Sequence, residues 1–395
     1  MNIRQVSDEI RDRTAQFLCD MIQIPSVSCD ESAVVARIAD EMRRVGFDAV
    51  RIDDFGNVIG RIGSGPRLLA YDAHVDTVDV GNRDRWDFDP FVGDIKDGFV
   101  RGRGASDQEG GMASMVYAGY LMKKYDLLPR DVTLLMVGSV AEEDCDGLCW
   151  RYLIEKENIR PEMVLITEPT ECRLYRGQRG RMEITATMPG ISAHGSAPER
   201  GKNAVMAMAP VIQGVEKLGP ALATDEFLGR GSVTISRVRS TAPSLCSVAD
   251  SCEIYLDRRL TWGETPENAL NEIRRLDPSG QLAVTAATYD TPTHTGYVYP
   301  VEKIYPAWKT PVDHATVRAG IAAHDTLFGK PPEVGRWTFS TNGVSIAGLH
   351  GIPCIGFGPG REEWAHAPNE MCAVEQLVTA ALFYAGYPSK YIEIT

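Results

Sequence analysis

Histidines and acidic residues of this chain collect at the ends of apolar runs. "LLAYDAHVD" closes on His74 and Asp76, "LLMVGSVAEE" on Glu142 and Glu143, and "MVLITE" on Glu168. Asp107 in "GRGASDQEGG" and His366 in "FGPGREEWAHAPNE" lie in loops flanked by glycine. Taken one at a time, such residues are helix N-caps, solvated carboxylates or histidines bonded to a backbone group. Converging on one rim at ~4 Å spacing in a partly dry cleft, the acidic groups repel strongly, and cations relieve that best. Two histidines and three carboxylates without a thiolate complement suit zinc, cobalt or manganese. Two such ions about 3.5 Å apart, bridged by a carboxylate and a hydroxide, form a hydrolytic arrangement. Adjacent Glu142 and Glu143 at a strand end point in opposite directions, because side chains alternate along an extended chain. The pair is expected to divide its work.

For these residues to meet, the apolar runs must be neighbouring strands whose carboxyl ends share a rim, as in doubly wound sheets. "PRLLAYDAH", "DVTLLMVGSV" and "PEMVLITE" show no alternation, which predicts strands covered on both faces. The helical pattern "QEGGMASMVYAGYLMKKY" between the first two predicts an α/β sheet, mixed and mostly parallel, with helices on both faces. Near residue 180 the pattern changes: "GRMEITATMPG" and "DSCEIYLDRRL" alternate polar and apolar residues, as half-exposed antiparallel strands do. Helical patterns at 201–217 and 265–275 complete a β-α-β-β-α-β order, the mark of a small two-layer α+β domain inserted in the larger one. The helix "HATVRAGIAAHDTLFG" and the strand "GIPCIGFGPG" then resume the first style. The expected division is 1–179, an inserted unit at 180–300, and 301–395.

A chain of 395 residues with 44% hydrophobic and 24% charged residues is ordinary for a globular protein of about two domains. Its formal charge of −13 argues against a nucleic-acid partner, and no run is long enough to span a bilayer. The start is charged and helix-periodic, unlike a signal peptide. Nine scattered cysteines, an odd number, fit reduced thiols and a cytoplasmic location. Cys145 and Cys149 are four apart, yet no second pair completes a zinc site, so both are read as small buried hydrophobes.

The chain resembles the metallopeptidase superfamily of acetylornithine deacetylase, succinyl-diaminopimelate desuccinylase, aminoacylase and glutamate carboxypeptidase. The resemblance lies in "AHVDTV" (73–78), "GRGASDQEGGMA" (102–113), "AEED" (141–144), "TEPT" (167–170), "GISAHGSAPERGKNA" (190–204) and "GPGREEWAHAPNE" (358–370), in the family's order and over nearly the whole chain. It implies a phosphorylase/hydrolase-like catalytic domain with a ferredoxin-like lid. It also implies two divalent ions per chain, zinc foremost, with cobalt and manganese as alternatives. Asp107 would bridge them; His74 and Glu168 would hold one, Glu143 and His366 the other. Asp76 would accept the second ring N–H of His74. Glu142 would be the general base that takes a proton from a metal-bound water attacking an amide carbonyl.

His194, in the lid, would stabilise the oxyanion, often in a neighbouring subunit's cleft, which implies a homodimer formed through the lid. The lid arginine Arg258 would hold a substrate carboxylate. Ser340, Thr341 and Asn342 in "TFSTNGVSIAG" would border the substrate, with Asn342 standing where the family often has aspartate. The expected reaction is hydrolysis of an N-acyl amino acid or short peptide-like amide. An aminopeptidase or dipeptidase is the alternative, and a metal-binding relative without catalysis is disfavoured because Glu142 is retained.

Overall fold

The computed structural model describes residues 3–395. Its larger sheet has eight strands in the order Ala49–Ile52, Val58–Gly63, Val132–Ser139, Arg67–His74, Val164–Ile166, Cys354–Gly356, Leu174–Tyr175 and Val334–Gly335. The four in the middle run parallel and the margins bring in antiparallel pairs, a mixed sheet. Val132–Ser139 is buried or half-buried throughout, as an uninterrupted apolar run requires. Side chains alternate across the sheet, so Tyr71 and Asp72 report its two sides. The Tyr71 hydroxyl donates to the Tyr384 carbonyl of the helix Val374–Ile394, and Asp72 accepts from Asn342 beside Val344–Leu349. Both faces are therefore covered.

Register sets the rim. His74 lies opposite Ser139, and Asp72 opposite Ile166, so the carboxyl ends of three parallel strands finish at one level. Glu168 follows two residues beyond the last of these. The loop after Cys354–Gly356 passes so close that a Cβ on Gly358 would sit 2.1 Å from the Thr167 carbonyl. Only glycine lets that loop cross the strand end.

The second sheet is antiparallel in the order Ser232–Thr241, Ser251–Leu260, Gly180–Pro189 and Ala283–Ala286. Strict alternation of burial along Ser251–Leu260 leaves one face to be covered by the helices Ala204–Leu218 and Pro266–Arg274. Met182, Ile184, Ile254, Leu256, Met208 and Ile273 form a hydrophobic core separate from that of the main sheet. This is the ferredoxin-like β-α-β-β-α-β layer read from the sequence. Pairing runs past residue 300, since Ile304–Tyr305 joins Arg181–Met182. Among the described residues no helix is long and apolar enough to cross a membrane.

Candidate metal centre

Glu142 and Glu143 do not sit on the strand. Val132–Ser139 ends before them, Ala141 takes a left-handed conformation with φ 58°, and the two glutamates occupy a turn. Alternation along an extended chain is therefore not what separates them, which corrects the sequence-based argument. The carboxylate of Asp76 holds the turn, accepting from the amides of Glu142 at 3.1 Å and Glu143 at 3.0 Å. Ser28 donates to the same carboxylate at 2.7 Å.

That arrangement changes the expected partner of His74. Its Nδ1 donates to the backbone carbonyl of Asp76 at 2.9 Å, while the nearest Asp76 carboxylate oxygen is 3.7 Å away. With Nδ1 donating to that carbonyl, Nε2 is the nitrogen turned toward the cluster. It faces Asp107 Oδ1 at 3.1 Å and Glu168 Oε1 at 3.6 Å. The other Asp107 oxygen lies 3.4 Å from His366 Nε2, which is 2.9 Å from Glu143 Oε2. Asp107 thus stands between the two histidines. Glu370, absent from the sequence-based set although it ends a quoted stretch, positions it. One oxygen of Glu370 accepts from the amides of Ser106 and Asp107, and the other from Arg103 at 2.6 Å.

Burial raises the carboxyl pKa values of Glu142, Glu143 and Glu168, and the neighbouring carboxylates add to it. Burial opposes charge on His74, but Glu168, Asp107 and Glu142 around it hold its proton well above the usual imidazole range. Glu142 Oε1 and Glu168 Oε2 are buried without a hydrogen-bond partner. Ligand atoms of His74, Asp107 and Glu143 lie within 4.8 Å of one another, as do those of His74, Glu142 and Glu168. An imidazole nitrogen aimed at carboxylates, with orphaned carboxylate oxygens beside it, is a donor set that fits divalent cations, which take the place of the ring's second proton.

The cluster lines a cleft of about 360 Å³ that is also lined by Arg181, Arg259, Ser340 and Glu362. Arg258 is elsewhere. It is fully buried in the second sheet, where its guanidinium is shared by Glu264 and Glu272. Strand alternation sends Arg258 into that sheet's core side and Arg259 toward the cleft, so Arg259 replaces it as the candidate for a substrate carboxylate. Arg258→Met is expected to cost about 3–5 kcal/mol in urea unfolding, because two glutamates lose a buried cation. Arg259→Ala is expected instead to raise KM with little loss of stability.

Thr341 and Asn342 also lie off the cleft. Buried Thr341 donates to Gln178 at 2.7 Å. Asn342 donates to Asp72 at 2.8 Å and Ser139 at 3.0 Å and accepts from the Gly147 amide at 2.9 Å. It ties the strand ends together, so its neutral amide says nothing about substrate. His194 is exposed and outside the cleft lining; its Nδ1 accepts from Ser196. Cys145 and Cys149 are buried and unpaired in disulfides, as small hydrophobes.

Residues 70–390 match the model of peptidase family M20/M25/M40, and the chain belongs to that family. It is a metal-binding hydrolase acting on amide or peptide bonds. The uncharacterized protein YgeY of Escherichia coli is 57% identical over 380 residues, 95% of this chain and 94% of that protein. The probable succinyl-diaminopimelate desuccinylase of Staphylococcus epidermidis is 31% identical over 210 residues, 52% of this chain and 50% of that one. The solved structure of YXEP from Bacillus subtilis, a dinuclear metal-binding peptidase, superposes with a TM-score of 0.72 at 15% identity, covering 98% of this chain and 99% of that one.

Proposed function

We propose that the chain is a two-metal amidohydrolase that removes the acyl group from an N-acyl amino acid, or cleaves a short peptide-like amide, in the cytoplasm. His74, Glu168 and Asp107 would hold one ion, and His366, Glu143 and Asp107 the other. When bound, such ions polarise the scissile carbonyl and acidify the attacking water. The observation that carries the reading is Glu142. It is 4% exposed, lines the cleft, and keeps one oxygen free of any partner beside His74 and Glu168. That carboxylate takes the proton of the attacking water and returns it to the leaving nitrogen. Arg259 or Arg181 meets the carboxylate of the product side, since both residues line the cleft; each would share its guanidinium between the substrate and its present partners, Asp257 for Arg259 and Asp146 with Glu183 for Arg181.

His194 supports a homodimer. Ser196 occupies its Nδ1, leaving Nε2 to donate to an oxyanion, but nothing brings it to its own cleft. A partner copy docking along the edge strand Ser232–Thr241, where Val238 is 54% exposed, would supply it. Sedimentation showing only monomer at micromolar concentration would remove this role.

One feature favours a peptidase that recognises a free α-amine: the carboxylate of Glu362 on the cleft wall. Protein reconstituted with zinc, cobalt or manganese and assayed on N-acetyl and N-succinyl amino acids against dipeptides separates the two. Hydrolysis of the acyl amino acids is the expected result. Cleavage of dipeptides alone would transfer the assignment to the peptidase reading, and no cleavage of either would refute both.

A further inference from the structure

The turn that carries Glu142 and Glu143 is held by an unusual device. Four successive amides are each taken up by a buried side chain. Val140 donates to Asn57 Oδ1 at 3.2 Å, Ala141 to Glu31 Oε1 at 3.0 Å, and Glu142 and Glu143 to the two oxygens of Asp76. Ala141 needs such a hold, because a left-handed conformation at a residue with a Cβ persists only where its surroundings over-determine it.

Glu31 is fully buried, and each of its oxygens has a partner. Oε1 also accepts from the Cys29 amide at 2.9 Å, and Oε2 faces His294 Nδ1 at 3.0 Å. His294 comes from far along the chain, in the connector between Thr288–Tyr289 and Val301–Glu302. Its ring packs against Gly56 (φ 114°), where an added Cβ would be 2.4 Å from Cε1. The neighbouring Thr295 hydroxyl anchors the connector on the Asp54 carbonyl at 2.7 Å. Gly56 and Asn57 are in turn fixed by Asp53, whose carboxylate accepts both amides and the Asn57 side chain. One buried ring therefore contacts both the Glu31 carboxylate and the segment bearing Asn57, which together hold residues 140 and 141.

We propose that His294 and Glu31 are positioning residues for Glu142: the connector from the second sheet delivers a histidine that fixes the carboxylate holding the base-bearing turn. This rests on the reading of Glu142 as the base. Without the histidine, Oε2 of Glu31 loses its partner and the carboxylate is held only through Oε1, by the Cys29 and Ala141 amides, so its grip on Ala141 loosens and the turn can relax out of its left-handed conformation. A displacement of about 1 Å at a reacting group is enough to cost a hundredfold in rate.

The test uses His294→Ala, His294→Phe, which keeps ring packing without a donor, and His294→Asn, which restores a donor. Each is loaded with zinc and assayed on whichever N-acyl amino acid or dipeptide the wild type cleaves fastest. Both Ala and Phe variants are expected to lose about tenfold or more in kcat with KM within about twofold, at unchanged zinc content, and Asn to recover most of the loss. Amide hydrogen exchange across 138–147 is expected to quicken in the Ala and Phe variants and return in Asn, with other core segments unchanged. Unchanged exchange in that segment, or quickened exchange with wild-type kcat, overturns the proposal. A wild type that cleaves no substrate would refute the assigned function instead, while the exchange comparison still decides the hold on the turn.

Discussion

Glu142→Gln is expected to keep about two zinc equivalents per chain while kcat falls at least about a hundredfold, the low end for losing a general base. The substitution preserves shape and one acceptor oxygen but cannot take a proton. The zinc measurement matters because geometry leaves two roles open to Glu142. Its carboxylate lies within 4.8 Å of ligand atoms on both His74 and Glu168, close enough to be counted among the cation's neighbours. A ligand would carry metal away with it when neutralised; a base would not. Its unpaired, buried Oε1 favours the base, since a carboxylate that must accept a proton from water needs an oxygen not already engaged. Metal analysis alongside steady-state kinetics separates the roles, and near-wild-type hydrolysis by the variant would sink the assignment.

Asp107→Ala is expected to lower zinc content from about two equivalents to one or fewer and to cost more than about a hundredfold in activity, beyond the 10–100-fold typical of outer partners. Asp107 is placed between the two histidines, with one oxygen 3.1 Å from His74 and the other 3.4 Å from His366. Its removal leaves each half of the cluster with one histidine and one glutamate. Glu370 and Arg103, which orient the Asp107 backbone, would remain, so the fold around the site should survive. Zinc titration calorimetry reads the outcome directly. An unaltered stoichiometry of two would mean that Asp107 is not shared between the ions.

Much of the site was legible in the sequence because strand ends are local features. Apolar runs that close on His74, Glu142 with Glu143, and Glu168 can deliver polar groups only to a sheet rim, and the family motifs place Asp107 and His366 beside them. The ferredoxin-like layer was legible for the same reason, since period-two alternation states which face is buried. What the sequence could not state was the destination of side chains whose partners are distant in the chain. Arg258 and Arg259 are adjacent and alike, and only the sheet's register decides that one is buried against Glu264 and Glu272 while the other meets the cleft. Asn342 reads as a substrate-loop amide until Asp72, 270 residues away, is found bonded to it. The two glutamates of "GSVAEED" diverge through a turn and not through strand alternation, and that turn is set by Asn57, Glu31 and Asp76, with His294 behind Glu31. Local patterning thus determined which chemistry this chain carries, whereas long-range hydrogen bonds between buried groups decided how its residues are aimed.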